Sequence, residues 1–337
     1  MAQKDDLIAA CLDLDENLRK SQDIALIWEG NYWDDQDVHD CCDIDWRTFK
    51  FLVSKVAKAI RQYNIEKDER ILIYLPKIIQ LPISILASYQ AAIVPIIVDP
   101  LSTSPSELSA IISKFSPKLV ITVDAFWQGQ VLNEIKRHIE KYVTEDAQIL
   151  VIRHVAPNYG VPPPRKHLPA RRPYYKIELD LRNGKDDEWS TVMSKVEPED
   201  VPRKIWKSED TIAILVNSGT PEKIITNSEI MTNLRQKSKN YKETKNILVL
   251  DFPKDFETLT SFLLPWFCAK TLTLYEGPLD YPDSSRLTQL IQKHQVDCII
   301  SSEPLQIPNP EYLQFFDFGN LKKLVSNSEV LKEAYNF

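Results

Sequence analysis

From Arg47 to Tyr63 the apolar residues Phe49, Leu52, Val53, Val56, Ile60 and Tyr63 recur at helical spacing, which predicts an amphipathic helix with one buried face. Beyond it, short apolar runs alternate with helical stretches. Ile71–Leu75, Ile96–Val98, Leu119–Val123 and Ile149–Ile152 read as strands. After an irregular middle the pattern resumes with Ile212–Val216, Ile247–Leu250, Leu272–Tyr275, Cys298–Ile300 and Leu321–Val325. Apolar strands alternating with helices bury both faces of a sheet, so the pattern predicts an α/β fold of two stacked subdomains with mainly parallel sheets flanked by helices. Strands near 71–75, 96–98 and 119–123 are expected in one sheet. Those near 212–216, 247–250, 272–275 and 298–300 are expected in the other. The expected organisation is a first subdomain with an N-terminal lead-in over 1–152, a Pro/Arg-rich loop and connector over 153–207, and a second, incomplete subdomain over 208–337.

Two stretches depart from this rhythm. Ile78 to Val98 carries no charge, but Gln80, Pro82, Ser84, Ser88, Gln90 and Pro95 interrupt it. It reads as a helix followed by the buried strand Val94–Val98, and no membrane association is expected. Residues 153–177 hold Arg153, Arg165, Lys166, Arg171, Arg172 and Lys176, six prolines and no acid, which favours an extended, partly polyproline course. This is either an elaborated surface loop or an arm that docks an acidic protein surface through Arg165, Lys166, Arg171 and Arg172.

Composition narrows the function classes. With 337 residues, 43 % of them hydrophobic, the chain can bury a large core, and its net charge of −7 gives no reason to expect nucleic-acid binding. Glycine is scarce: 7 residues in the whole chain, against a usual share of about 7 %. Open α/β enzymes place glycines at strand ends, where backbone approaches ligand, so the scarcity predicts a general loss of ligand loops. Five cysteines, with no secretory leader at the start, point to a reducing compartment. A cytoplasmic location is expected, within a larger assembly that is cytoskeletal or organellar.

Other chemistry is thin. His39, Cys41 and Cys42 lack the second ligand pair that a zinc site requires, so no metal is expected. The acid run Asp34, Asp35, Asp37, Asp40, Asp43 and Asp45 lacks the glycine and terminal glutamate of a calcium loop. It reads as a solvated connection between two strands of an N-terminal hairpin. The histidines at 39, 138, 154, 167 and 294 sit beside no nucleophile motif.

The remaining feature is Ile214-Leu215-Val216-Asn217-Ser218-Gly219-Thr220-Pro221-Glu222-Lys223, a strand running into a turn. It resembles the adenylate-forming signature T-S-G-T-T-G-x-P-K-G, whose glycines let backbone N–H groups converge on phosphate while a lysine adds charge. Further matches are Ala25-Leu26-Ile27-Trp28-Glu29-Gly30, Arg70-Ile71-Leu72-Ile73-Tyr74-Leu75-Pro76 and Leu119-Val120-Ile121-Thr122-Val123-Asp124. Tyr275-Glu276-Gly277, Tyr281-Pro282-Asp283 and Ile291-Gln292-Lys293-His294 complete the series. In this order and spacing they resemble the acetyl-CoA synthetase family, in the adenylate-forming, AMP-binding superfamily. The resemblance covers roughly the first half of the family's length. It implies the fold of that family's N-terminal domain, without its C-terminal mobile domain.

The resemblance also implies what is missing. Aligned at Pro221, the loop is three residues short, Glu222 stands at the family lysine and Lys223 at a family glycine. Ser218, Gly219, Thr220 and Lys223 remain as a vestigial phosphate loop. The family's CoA-contacting R-G-G turn reads Gln128-Gly129-Gln130. Its V-F-A-G-F-S strand end reads Ile97-Val98-Asp99-Pro100-Leu101-Ser102, and its acyl-site segment reads Asp251-Phe252-Pro253-Lys254-Asp255-Phe256-Glu257. Family segments for the acyl pocket, the ribose and the adenylation lysine are not found. The expectation is a truncated, degenerate member with no catalytic residues and no cofactor, acting as a structural or interaction subunit with protein partners. The alternative is a nucleotide- or CoA-sensing protein, or half of a split acetate–CoA ligase whose activity needs a second chain.

Overall fold

The computed structural model describes residues 6–13, 20–33, 39–124, 147–154, 180–197, 206–217, 221–277, 279, 284–302 and 313–326. The first strands are β1 (Ile24–Trp33), β2 (His39–Asp45), β3 (Arg70–Tyr74), β4 (Val94–Val98), β5 (Leu119–Val123), β6 (Gln148–Ile152) and β7 (Asp186–Glu188). They are followed by β8 (Thr211–Val216), β9 (Lys223–Thr226), β10 (Asn246–Val249), β11 (Thr271–Tyr275), β12 (Cys298–Ser301) and β13 (Lys323–Ser326). The helices are α1 (Leu7–Leu12), α2 (Trp46–Arg61), α3 (Gln80–Ala91), α4 (Pro105–Phe115), α5 (Trp189–Lys195), α6 (Asn227–Ser238), α7 (Phe256–Phe267) and α8 (Arg286–His294). Every apolar run read as a strand is one, with ends displaced by no more than two residues.

The chain divides into two compact units, residues 50–229 and residues 1–49 with 230–337. In the first, seven strands lie in the order β7-β6-β5-β3-β4-β8-β9. All neighbours are parallel except the antiparallel β8–β9 pair. The central strands are buried end to end, as strands covered on both faces must be. The edges are short and polar: β7 is Asp186-Asp187-Glu188, and β9 exposes Lys223 and Ile224. Charge on a short edge discourages pairing with a second sheet. The uncharged stretch 78–98 resolves into α3, a turn at Ala92 and β4, with almost every α3 side chain buried. Among the described residues no helix is long and apolar enough to cross a membrane.

In the second unit six strands lie in the order β13-β12-β10-β11-β1-β2, parallel except for the β1–β2 hairpin. Here α8 sets Leu287, Leu290 and Ile291 on one face against Leu248, Tyr275, Val296 and Ile299. Each fully buried aliphatic side chain of this kind contributes about 1.5–3 kcal/mol. On the hairpin, Asp40, Asp43 and Asp45 fall within β2 itself. The acid run is therefore partly strand rather than wholly connection, and 34–38 lie outside the described residues.

Three expectations about grouping need correction. Strand 212–216 joins the sheet of 71–75, 96–98 and 119–123, and not that of 247–250. Ile96, Ile97 and Val98 of β4 pair with Ile214, Leu215 and Val216 of β8. A uniformly apolar strand such as Val94–Val98 needs a partner on both sides, and run length alone does not say which strand supplies it. The linear division 1–152, 153–207 and 208–337 likewise does not follow the compact units, because β1 and β2 pair into the sheet of β10 to β13. Finally, the connector 153–207 is not wholly irregular. It supplies β7 and α5, where Arg182 bridges Asp186 at 2.8 Å and donates to the Ala147 carbonyl, while the Tyr63 hydroxyl donates to Asp187 at 3.1 Å. Three consecutive acids carry no apolar run, so hydrophobic patterning is blind to this strand.

Candidate functional site

The stretch matched to the family's phosphate loop lies between β8 and β9 in sequence. β8 and β9 pair antiparallel, Leu215 with Lys223, Ile214 with Ile224 and Ala213 with Ile225. Ser218, Gly219 and Thr220 lie outside the described residues; Pro221, Glu222 and Lys223 are placed. The Glu222 carboxylate accepts a hydrogen bond from the ammonium of Lys114, in the last turn of α4. That bond holds the Glu222 carboxyl below the usual carboxylate range. Lys223 is exposed at the start of β9, and its charge helps lower the Glu229 carboxyl, where the larger cause is the bond from the Thr226 backbone N–H. Thr226 and Glu229 form a reciprocal cap on α6: each backbone N–H donates to the other's side chain, at 2.8 Å to Glu229 and 3.4 Å to Thr226. The described corner thus carries two lysines and two glutamates. A phosphate cradle needs positive charge in excess, and this corner balances it locally.

The other described positions matched to ligand contacts are engaged in hydrogen bonds within the fold. Asp99, after β4, accepts from the Leu101 N–H and the Ser102 hydroxyl, both at 2.9 Å. Asp251, after β10, accepts from the Ser302 N–H at 2.7 Å. Asp255 caps α7 by accepting from the Thr258 N–H at 2.9 Å, and the Thr258 hydroxyl receives the Asp255 N–H in return. Gln128, Gly129 and Gln130, and the basic residues Arg165, Lys166, Arg171 and Arg172, lie outside the described residues.

Among the described residues, the unit of 1–49 and 230–337 holds a highly charged buried cluster. Glu29 on β1 is 0 % exposed and lies opposite Tyr275 of β11 in the parallel register. Its carboxylate pairs with the Arg286 guanidinium and with the His294 Nε2, and Lys293 Nζ stands 3.0 Å away. Arg286, at 2 % exposure, also donates to the Tyr275 hydroxyl at 3.2 Å and lies over its ring. Burial raises the Glu29 carboxyl, but the His294 hydrogen bond and the charges of Arg286, Lys293 and His294 outweigh it and bring it down to about 2. Burial pushes the Tyr275 phenol up to about 12 despite the nearby guanidinium. Charges this deep persist only when paired and hydrogen-bonded, and each of these is.

The matched stretches Trp28-Glu29-Gly30, Tyr275-Glu276-Gly277 and Lys293-His294 are far apart in sequence, and their meeting in this cluster is not legible there. Arg286 was not singled out at all. The signal available was helical spacing, since Arg286, Lys293 and the apolar Leu287, Leu290 and Ile291 share one helix. Among the described residues no group of His, Cys, Asp and Glu could hold a metal ion. Cys41 and Cys42 are exposed free thiols on β2.

Comparison with known proteins completes the assignment. A family model described as AMP-binding enzyme matches residues 15–331. The Caenorhabditis elegans protein ZK112.6 is 51 % identical over 141 residues, covering 40 % of this chain and 94 % of that protein. An acetyl-coenzyme A synthetase of Syntrophobacter fumaroxidans is 26 % identical over 296 residues, covering 84 % of this chain but 41 % of the synthetase. The solved acetoacetyl-CoA synthetase of Streptomyces lividans superposes with a TM-score of 0.71 at 14 % identity, covering 95 % of this chain and 46 % of that one. The chain therefore spans less than half the length of the synthetases it matches, and shares the α/β architecture of two mixed, mostly parallel sheets. On the extent of the family match, it belongs to the AMP-binding enzyme family.

Proposed function

We propose that this chain is a catalytically inactive, acetyl-CoA synthetase-like protein that serves as a structural or interaction subunit of a larger assembly. The observation that carries the reading is Glu222. It stands where the family loop has its lysine, and it engages Lys114, the cation that α4 brings to the same corner. Acyl-adenylate formation depends on positive charge aimed at the developing pyrophosphate, and a salt-bridged corner has little to offer it. Asp99 and Asp251, at the matched strand ends, add negative charge; Asp99 holds its own turn and Asp251 ties the end of β10 to the segment after β12. By contrast, the motifs that persist build the buried Glu29 network, which serves folding.

The test is acetate-dependent pyrophosphate exchange, run beside thermal unfolding with ATP and magnesium. No exchange and no ATP-dependent rise in Tm are expected. Ligand at a hundred times its Kd stabilises by about 2.7 kcal/mol, so a flat melting curve at millimolar ATP excludes tight binding. Saturable exchange overturns the proposal. A rise in Tm without exchange transfers the assignment to a nucleotide sensor.

A further inference from the structure

The parallel strands β13, β12, β10 and β11 start along one rim of the six-stranded sheet, as their registers show. The residues just before them, in sheet order, are Lys322, Asp297, Lys245 and Lys270. The Asp297 carboxylate accepts from the Lys245 N–H at 2.7 Å and the Asn246 N–H at 3.1 Å, and its carbonyl accepts from the Lys322 and Lys323 N–H groups. Asp297, the one acid among these four, is therefore engaged in holding the rim together, and the next parallel strand, β1, follows Asp23. Past the end of α6 the chain adds Lys239 and Lys242, and the two segments enclose an open cleft of about 290 Å³ lined by Lys239, Asn240, Lys242, Glu243, Thr244, Lys322 and Lys323. Four lysines face one glutamate there, on a chain whose net charge is −7.

Some of these lysines are fixed and others are available. Lys323 donates to the Asn240 carbonyl at 2.6 Å and lies 3.8 Å over the Tyr241 ring, while Lys270 donates to the Lys242 carbonyl at 3.4 Å. Lys239, Lys242 and Lys322 are exposed and make no ion pair among the described residues. The negative end of the α6 dipole favours cations at Lys239 and Lys242, while the mutual repulsion of three exposed charges opposes their gathering.

We propose that this rim docks a carboxylate-rich peptide segment of a protein partner. The chemistry favours that occupant over a compact phosphate. No arginine fork lines the cleft, and the helix end beside it is the C-terminus of α6, whose dipole is negative there. Bidentate forks, helix N-termini and nests of N–H groups select phosphate; dispersed, flexible ammonium groups suit a line of carboxylates. The rim is also the wrong end of the sheet for a small-ligand site, which open α/β sheets form outside the carboxyl ends of their strands. The surface deepens the reading of the chain as an interaction subunit but stands whether or not adenylate is formed. Peptide binding and pyrophosphate exchange thus fail separately.

The experiment is fluorescence anisotropy on the full chain with a labelled oligoglutamate peptide, with labelled oligouridylate and inorganic pyrophosphate as competing anions. Two rim variants are compared, Lys239→Glu/Lys242→Glu/Lys322→Glu and the same positions changed to Ser. A control variant, Lys67→Glu/Lys195→Glu/Lys207→Glu, makes the same change in net charge at exposed lysines of the other unit. The expected result is saturable peptide binding that weakens about tenfold as salt rises to physiological strength. It falls about tenfold or more in the charge-reversed rim, less in the serine variant, and little in the control. The proposal is overturned if the peptide does not bind at low salt or if rim and control variants lose affinity equally. It is also overturned if oligouridylate or pyrophosphate binds the rim more tightly than the peptide does.

Discussion

The corner at Glu222 and the cluster at Glu29 both join a glutamate to a lysine, and they differ in almost everything else. Glu222 and Lys114 meet at the surface, and water can replace either partner for the other. Glu29 is enclosed by Arg286, His294 and Lys293, with Tyr275 beside the guanidinium, and no solvent stands ready to substitute. The first adjoins the stretch that resembles the family's phosphate loop, and on the function proposed above that stretch no longer serves a ligand. The second lies where three family motifs meet, and those motifs have stayed. A buried charge network constrains its members collectively, because removing one leaves the others desolvated and unpaired. A surface ion pair is under no such constraint.

The comparison breaks most readily by mutation. Glu29→Gln is expected to destabilise the fold by about 3–5 kcal/mol, the usual cost of leaving a buried cation without its counter-charge. Adding Arg286→Leu is expected to recover part of that loss, since the orphaned guanidinium is then gone, and a double-mutant cycle measures the coupling. Lys114→Ala and Glu222→Ala are expected to leave the urea midpoint in place, as exposed pairs generally do. Equal effects at the two sites would abolish the distinction drawn here.

Acid sharpens it next. The Glu29 carboxyl is lowered from its ordinary 4.5 to about 2. A depressed carboxylate stabilises the fold above its unfolded pKa, and that stability is lost as pH falls through the folded value. The window therefore runs from about 4.5 down to about 2, and the full contribution is about 3 kcal/mol. The difference in unfolding free energy between the wild-type chain and Glu29→Gln, followed by urea titration from neutral pH down to the acid limit, is expected to shrink by about that amount. A difference that stays constant across the window would mean that Glu29 gains nothing from its partners.

What sequence alone made legible follows the same division. Every apolar strand announced itself, because burial on both faces leaves an unbroken hydrophobic run. The acidic edge strand Asp186-Asp187-Glu188 did not, because its place depends on Arg182 and Tyr63 and not on apolarity. The sheet membership of 212–216 is not legible either, since parallel partners are chosen by crossovers that no local pattern records. At the candidate site, the acid Glu222 beside Lys223 is visible in the sequence. That Lys114 would meet it, or that Glu29 and Arg286 would meet each other, was not, because these pairs are 108 and 257 residues apart. The lysine rim was equally hidden, being drawn from three separate segments.

The smallest effect concerns glycine, whose scarcity in the sequence points to eroded ligand loops. The structure adds a second place where glycine is wanting. Helix α3 ends at Ala92, α4 at Ser116 and α8 at Gln295, all left-handed, with φ of 64°, 46° and 51°. A Cβ in that conformation crowds the carbonyl and costs roughly 1–2 kcal/mol, which is why helices commonly end on glycine. Scarcity therefore extends to caps that touch no ligand loop, and it is not by itself a record of lost binding. Ser116 and Gln295 are exposed, so glycine can replace them without removing packed atoms, whereas Ala92→Gly would also delete a buried methyl group. Ser116→Gly and Gln295→Gly are each expected to stabilise by about 0.5–1 kcal/mol, the strain relieved less the added freedom of the unfolded chain. Gln295→Ala retains the Cβ and is expected to gain nothing. Urea unfolding of the three variants decides it: if Gln295→Ala matched Gln295→Gly, cap strain would not be the cause, and the glycine shortage would again point to ligand loops alone.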